Sequence, residues 1–165
     1  MKCTGVGVCI VILLFWGNTL HGQELPPRPV AIYVNPAQGL ILGAFFQGTT
    51  GGSVIVYPDG SRSVTGDIIQ ANLGIPFSPA IFEVEANRGT LISILNGPDV
   101  TLTGSNGGTM TLHVGAASTG TQFVSTTQAP ARTQVRIGGT LTVGNRLANP
   151  AGTYSGSFSV TFIQE

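Results

Sequence analysis

Glu83 and Glu85, two carboxylates set two residues apart, are the densest acid–base feature of the chain. On a strand such residues share a face, with side chains roughly 6 to 7 Å apart, and paired carboxylates at suitable separation hydrolyse glycosides. That chemistry also needs one member to keep its proton near neutrality and an aromatic-lined cleft to receive the sugar. The local stretch supplies neither, since Phe82 and Val84 point the other way, and the pair reads as the wet side of a half-buried strand. His113 is set among threonines on the outer face of its strand. From residue 23 onward it has no second His and no Cys to complete a zinc set, and no spacing specifies a nucleophilic triad. It reads as a surface residue. Asp59, Asp67 and Asp99 do not form a calcium-loop ladder, which leaves open only a calcium ion bridging distant loops. Arg132 and Arg136 share a strand face with Gln134, where edge protection and solubility explain them better than nucleic-acid binding does. The pairs Gly51-Gly52, Gly107-Gly108 and Gly138-Gly139 each feed a β-rich stretch without the Lys-Ser/Thr ending of a phosphate loop, and fit strand starts or bulges. The expectation is a non-enzyme with no catalytic residue, no cofactor, no metal-binding residue assigned and no nucleic-acid partner.

The elements around these residues come from an unusual division of the chain. Among 165 residues, 24 are Gly and 10 Pro, while seven basic and seven acidic side chains cancel. The only Lys, both Cys and the only Trp fall within residues 1–16. Lys2, the apolar run from Val6 to Trp16 and the small Gly22 have the form of a secretory signal, too short for an ordinary membrane span. Residues 1–22 are therefore expected to be removed on export, with cleavage before Gln23. The remaining 143 residues hold six Arg, no Lys, seven acidic residues and His113 as the sole imidazole. That composition gives no basis for long-range steering of a charged partner. Without Cys, the fold must rest on a hydrophobic core of single-domain size, and no stable membrane span remains. Residues 23–29, with Pro26, Pro27 and Pro29, read as a tether.

Residues 30–165 read as one all-β domain, an immunoglobulin-like or pilin-like antiparallel sandwich. Strand patterns fall near 30–34, 39–46, 52–57, 62–70, 80–86, 90–95, 99–103, 108–115, 121–125, 132–143 and 153–163, divided by Gly, Pro, Asn and Asp. Met110, Leu112 and Val114 alternate with Thr109, Thr111 and His113. Val135 and Ile137 alternate with Gln134 and Arg136, and Tyr154, Phe158, Val160 and Phe162 alternate with serines and threonines. Each set predicts one core face and one wet face. Tyr57-Pro58-Asp59-Gly60-Ser61 predicts a tight hairpin, and residues 116–131 form the longest irregular candidate.

Gly138-Gly139-Thr140-Leu141-Thr142-Val143-Gly144 and the ending Pro150-Ala151-Gly152-Thr153-Tyr154-Ser155-Gly156-Ser157-Phe158-Ser159-Val160-Thr161-Phe162 resemble the closing signature of the bacterial domain family of unknown function 4402. Gly39-Leu40-Ile41-Leu42-Gly43, Gly51-Gly52 with Pro58-Asp59-Gly60-Ser61-Arg62, and Gly107-Gly108-Thr109-Met110-Thr111-Leu112 fall in the order expected for it, so the resemblance spans about residues 30–163. It implies an exported β-sandwich akin to fimbrial or spore-coat-like subunits, with no catalytic residues to carry over. The expected function is a structural or adhesive subunit, extracellular or at the bacterial cell surface and reached through the periplasm where there is one. Its partners would be copies of itself or other surface subunits. Val30, Ile32 and Val34 share a face suited to adding a strand to a neighbour. The alternative is a secreted carbohydrate-binding module whose glycan ligand meets Tyr33, Tyr57 and Phe123.

Overall fold

The computed structural model describes residues 29–34 and 39–165. The expected signal segment, residues 1–22, and all of the tether except Pro29 lie outside the described residues. Those described contain no helix and eleven strands: β1 (Ala31–Val34), β2 (Phe45–Val56), β3 (Arg62–Gln70), β4 (Ala80–Glu85), β5 (Leu91–Asn96), β6 (Val100–Gly104), β7 (Thr109–Ala117), β8 (Gln122–Val124), β9 (Arg132–Val143), β10 (Tyr154–Ser155) and β11 (Val160–Gln164). They form an antiparallel β-sandwich. One sheet runs β1-β4-β9-β7-β6-β10 with the β2–β3 hairpin attached to β9, and the other runs β11-β5-β8.

β9 organises the larger sheet. Its first half pairs with β4, from Arg132 opposite Glu85 to Ile137 opposite Ala80, and its second half pairs with β2, from Gly139 opposite Val56 to Val143 opposite Gly52. β7 occupies the other edge. The change of neighbour falls at Gly138, where an added Cβ would lie 2.3 Å from the carbonyl oxygen of Val56. This glycine pair is therefore mid-strand, where the close approach of a second backbone excludes a side chain.

The β2–β3 ribbon folds back on itself. Its register shifts between Gln47 and Gly52, Gly66 stands opposite Gly52, and Gly51 and Gly66 both take positive φ (+82° and +67°). Arg62 opens β3, yet its guanidinium donates to the carbonyl of Ala44, just ahead of β2, and Gln70 Nε2 reaches the carbonyl of Arg62 at 3.5 Å. A straight strand would hold residues 62 and 70 roughly 26 Å apart. The fold-back brings Phe45 and Ile68 onto the same apolar cluster as Val54. At the ribbon's other end the predicted hairpin closes through Gly60 N–H to Tyr57 O (3.0 Å) and Tyr57 N–H to Ser61 O (2.9 Å).

The core has two parts. The first, between the sheets, holds Ala80, Phe82, Val84, Ile92, Val135 and Ile137, with Phe158 and Phe162 packed edge-on and tilted against Phe82. The second holds Val54, Ile68, Leu102, Met110, Leu112 and Leu141. Leu40 and Phe158 touch both. Each fully buried side chain of this size contributes about 1.5–3 kcal/mol.

The expected alternation holds: Met110, Leu112 and Val114 are buried while Thr109, Thr111 and His113 are exposed. The segment 153–163, however, is not one strand. β10 pairs with β6 in the large sheet, β11 pairs with β5 in the small one, and residues 156–159 cross between them. Gly156 passes against Leu102 too closely for a side chain. The stretch 39–46 is likewise no continuous strand: before β2 starts, Gly39–Ala44 carry the bridge of Ile41 to Ser78 and a single bond from Ala71 N–H to Ala44 O.

Exposed carboxylates secure both ends of the folded ribbon. Asp67 accepts N–H groups from Thr49 (2.5 Å) and Thr50 (3.3 Å) at the register shift, and Asp59 accepts the N–H and hydroxyl of Ser61 in the hairpin. The backbone N–H groups of Thr50 and Thr49 hold the Asp67 carboxyl below the ordinary range, and the hydroxyl and N–H of Ser61 do the same for Asp59. Because their folded pKa values lie below the unfolded value of about 3.9, both contribute stability above that pH and lose it as pH falls through the folded values. Melting temperatures of Asp59→Asn/Asp67→Asn should accordingly fall less than wild type between pH 5 and pH 2. Parallel acid limbs for the two proteins would remove these carboxylates from the acid response.

Candidate functional site

The two stretches that fail to pair as strands face each other across a groove of about 1160 Å³. One wall is Gly39–Gln47 and the other Pro150–Val160, with Leu102, Met110, Leu112 and Leu141 at the bottom. These four are only 2–6 % exposed, so an occupant would meet mainly the half-buried Leu42, Phe45, Tyr154 and Phe158 of the walls. The rim is apolar and open: Phe46, Leu73 and Ile75 are 54–63 % exposed. Among the described residues, Leu42 and Gly43 on one wall and Gly156–Phe158 on the other have no backbone hydrogen-bond partner.

Each wall is held from behind. Ile41 and Ser78 exchange two backbone bonds (2.9 and 2.8 Å), and Arg62 donates to Ala44 at 2.8 Å while lying 5.4 Å from the centre of the Phe77 ring. Burial lowers the pKa of Arg62, whose Nε is buried without a partner. The opposite wall is fixed by Asn149, 2 % exposed, which donates to the carbonyl of Thr109 and accepts the N–H of Gly144. Asn106 adds a bond from Nδ2 to Ala151 O (2.7 Å), and the Tyr154 hydroxyl donates to Pro150 O (2.8 Å). Arg146 donates to Gln47 O and Gln47 to Gly144 O, tying one wall to the segment leading into the other. Sequence reasoning missed Asn149 and Asn106. Their signals were an Asn-Pro step and an Asn-Gly turn, which mark turns without naming the carbonyls they reach.

The residues singled out from sequence lie elsewhere. Glu83 and Glu85 share the outer face of β4 but are bound to Arg132, at 2.9 Å (Glu83) and 3.8 Å (Glu85). The hydrogen bond to Glu83 raises the pKa of Arg132, whose guanidinium also stacks 3.5 Å from the centre of the Tyr33 ring. These groups lie together across β1, β4 and β9, with Arg132 the shared cation between the two carboxylates. His113 pairs with Asp99 at 2.7 Å on an open surface. Among the described residues no three His, Cys, Asp or Glu side chains gather to hold a metal ion.

β1 pairs within its own chain, Ala31 to Val34 opposite Glu85 to Phe82. Val30 packs against the first core cluster, whereas Ile32 and Tyr33 are 37 % and 41 % exposed. Of the three aromatics expected to face a ligand, Phe123 is half-buried: it stands opposite the fully buried Ile92 and packs on the first cluster. Tyr33 gives one ring face to Arg132. Tyr57 stays exposed beside a shallow recess with Asp59, Gln134 and Arg136.

A family model described as "Domain of unknown function (DUF4402)" matches residues 32–163. The chain belongs to this family. The DUF4402 match runs from β1 through β11 and takes in both sheets and both groove walls. No curated protein and no solved structure matches the chain.

Proposed function

We propose that this DUF4402 protein is a non-enzymatic structural or adhesive subunit, exported to the bacterial surface, that joins its neighbours by β-strand pairing. The reading is carried by the groove, where, among the described residues, Leu42–Gly43 on one wall and Gly156–Phe158 on the other have main chain without a backbone partner and the rim is apolar, an arrangement that calls for an extended peptide. A strand placed there would satisfy backbone groups on both sides, as in other cases of strand addition, and would cover a rim of the kind that marks interaction surfaces. Glu83 and Glu85 lie outside the groove and are engaged with Arg132.

Ser157 provides the test, because it is exposed on a groove wall and belongs to no strand. Ser157→Arg should leave stability within about 0.5 kcal/mol of wild type and weaken self-association at least tenfold by sedimentation velocity over a concentration series. Equal association of the two proteins would sink the proposal. Tyr57 and its polar recess favour the second reading, glycan binding, which binding to glycans that Ser157→Arg leaves intact would support.

A further inference from the structure

We infer that the segment filling the groove is Val30–Val34 of a second copy, released from the edge of its own sheet; this rests on the assembly reading above. β1 is the terminal strand of its sheet and is held by one ladder, to β4. Its outer coverage is incomplete, with Ile32 and Tyr33 partly exposed. In a neighbour's groove the same segment gains main chain on both sides.

Length, charge and alternation agree on this occupant. Main chain without a backbone partner runs over Leu42–Gly43 on one wall and Gly156–Phe158 on the other, so a short segment such as Val30–Val34 is long enough to span both. Pro26, Pro27 and Pro29 have no N–H for a ladder, so regular pairing begins at Val30. Val30–Val34 carries no charge, and among the described residues Arg146 is the only charged side chain lining the groove, with its Nε committed to Gln47 O. The alternation of Val30 and Ile32 places branched apolar residues on one face of the segment, the face that would meet the groove bottom.

A reversible lock tests the release step. Tyr33 and Glu83 are register partners; such residues lie about 4.5–5.5 Å apart at Cα, within disulfide reach. The chain has no Cys after residue 22, so Tyr33→Cys/Glu83→Cys in the exported protein makes one possible bond. Oxidised, this variant should be folded and monomeric by light scattering; reduced, it should assemble. Ile32→Asp, at a half-exposed position, should retain the wild-type melting profile and lose at least tenfold in association. Assembly of the oxidised lock, or undiminished association of Ile32→Asp, would overturn β1 as the donor. If Ser157→Arg still blocked association in that case, the groove reading would survive. A wild-type protein that stays monomeric up to millimolar concentration would overturn both.

Discussion

Gly138→Val is expected to cost about 3 kcal/mol or more or to prevent folding outright. The new Cβ would fall 2.3 Å from Val56 O and 3.1 Å from Pro58 Cδ. Neither atom belongs to a flexible side chain that can swing aside. Val56 is in register with Gly139, so relief requires parting β2 from β9 where β9 changes neighbours. Val54, Leu141 and Val143 of the second core cluster lie on these two strands, so the separation would also open that cluster. Urea unfolding would measure the effect. A loss below 1 kcal/mol would mean that the ribbon accommodates the side chain and that its contact with β9 is loose.

Ile92→Ala should cost about 2–5 kcal/mol. Ile92 is fully buried, and it is the only buried hydrophobic side chain on the three strands of the smaller sheet. It stands opposite Phe123 on one side and Gln164 on the other. A cavity there weakens the attachment of the whole small sheet. The effect reaches the groove because β11 continues directly from the Gly156–Ser159 wall, and Gly97 N–H bonds the Ser159 carbonyl at 2.9 Å from the end of β5. The variant should show faster amide exchange across Val160–Gln164 as well as the lower midpoint in urea. A midpoint shift without faster exchange would place the loss elsewhere in the core.

Which face of each strand is buried was legible in the sequence, because it depends on local alternation. Val135 and Ile137 are fully buried and Arg136 exposed, as their parity requires. Pairing was less legible. Tyr154, Phe158, Val160 and Phe162 keep one parity through the break at residues 156–159, because an extended chain alternates whether or not it has ladder partners. Leu40 and Leu42 do the same on the other wall. Since both walls imitate strands, the groove could not be read from sequence. Glu83 shows a similar limit: its partner Arg132 lies 49 residues away, and only strand order brings them together. The face of Phe123 was not legible either, because a three-residue strand gives too little alternation to fix it.

The position of β9 along the chain has a kinetic consequence. β2, β4 and β7 are all made before it, yet each needs β9 as a neighbour, and the Gly52–Val143 pair joins distant parts of the sequence. Until Arg132–Val143 has emerged during synthesis, the upstream strands have no common centre on which to close. Such long-range pairing makes folding slow and places its decisive step near the end of chain production. Until then the edges of β2, β4 and β7 that β9 will cover stay open.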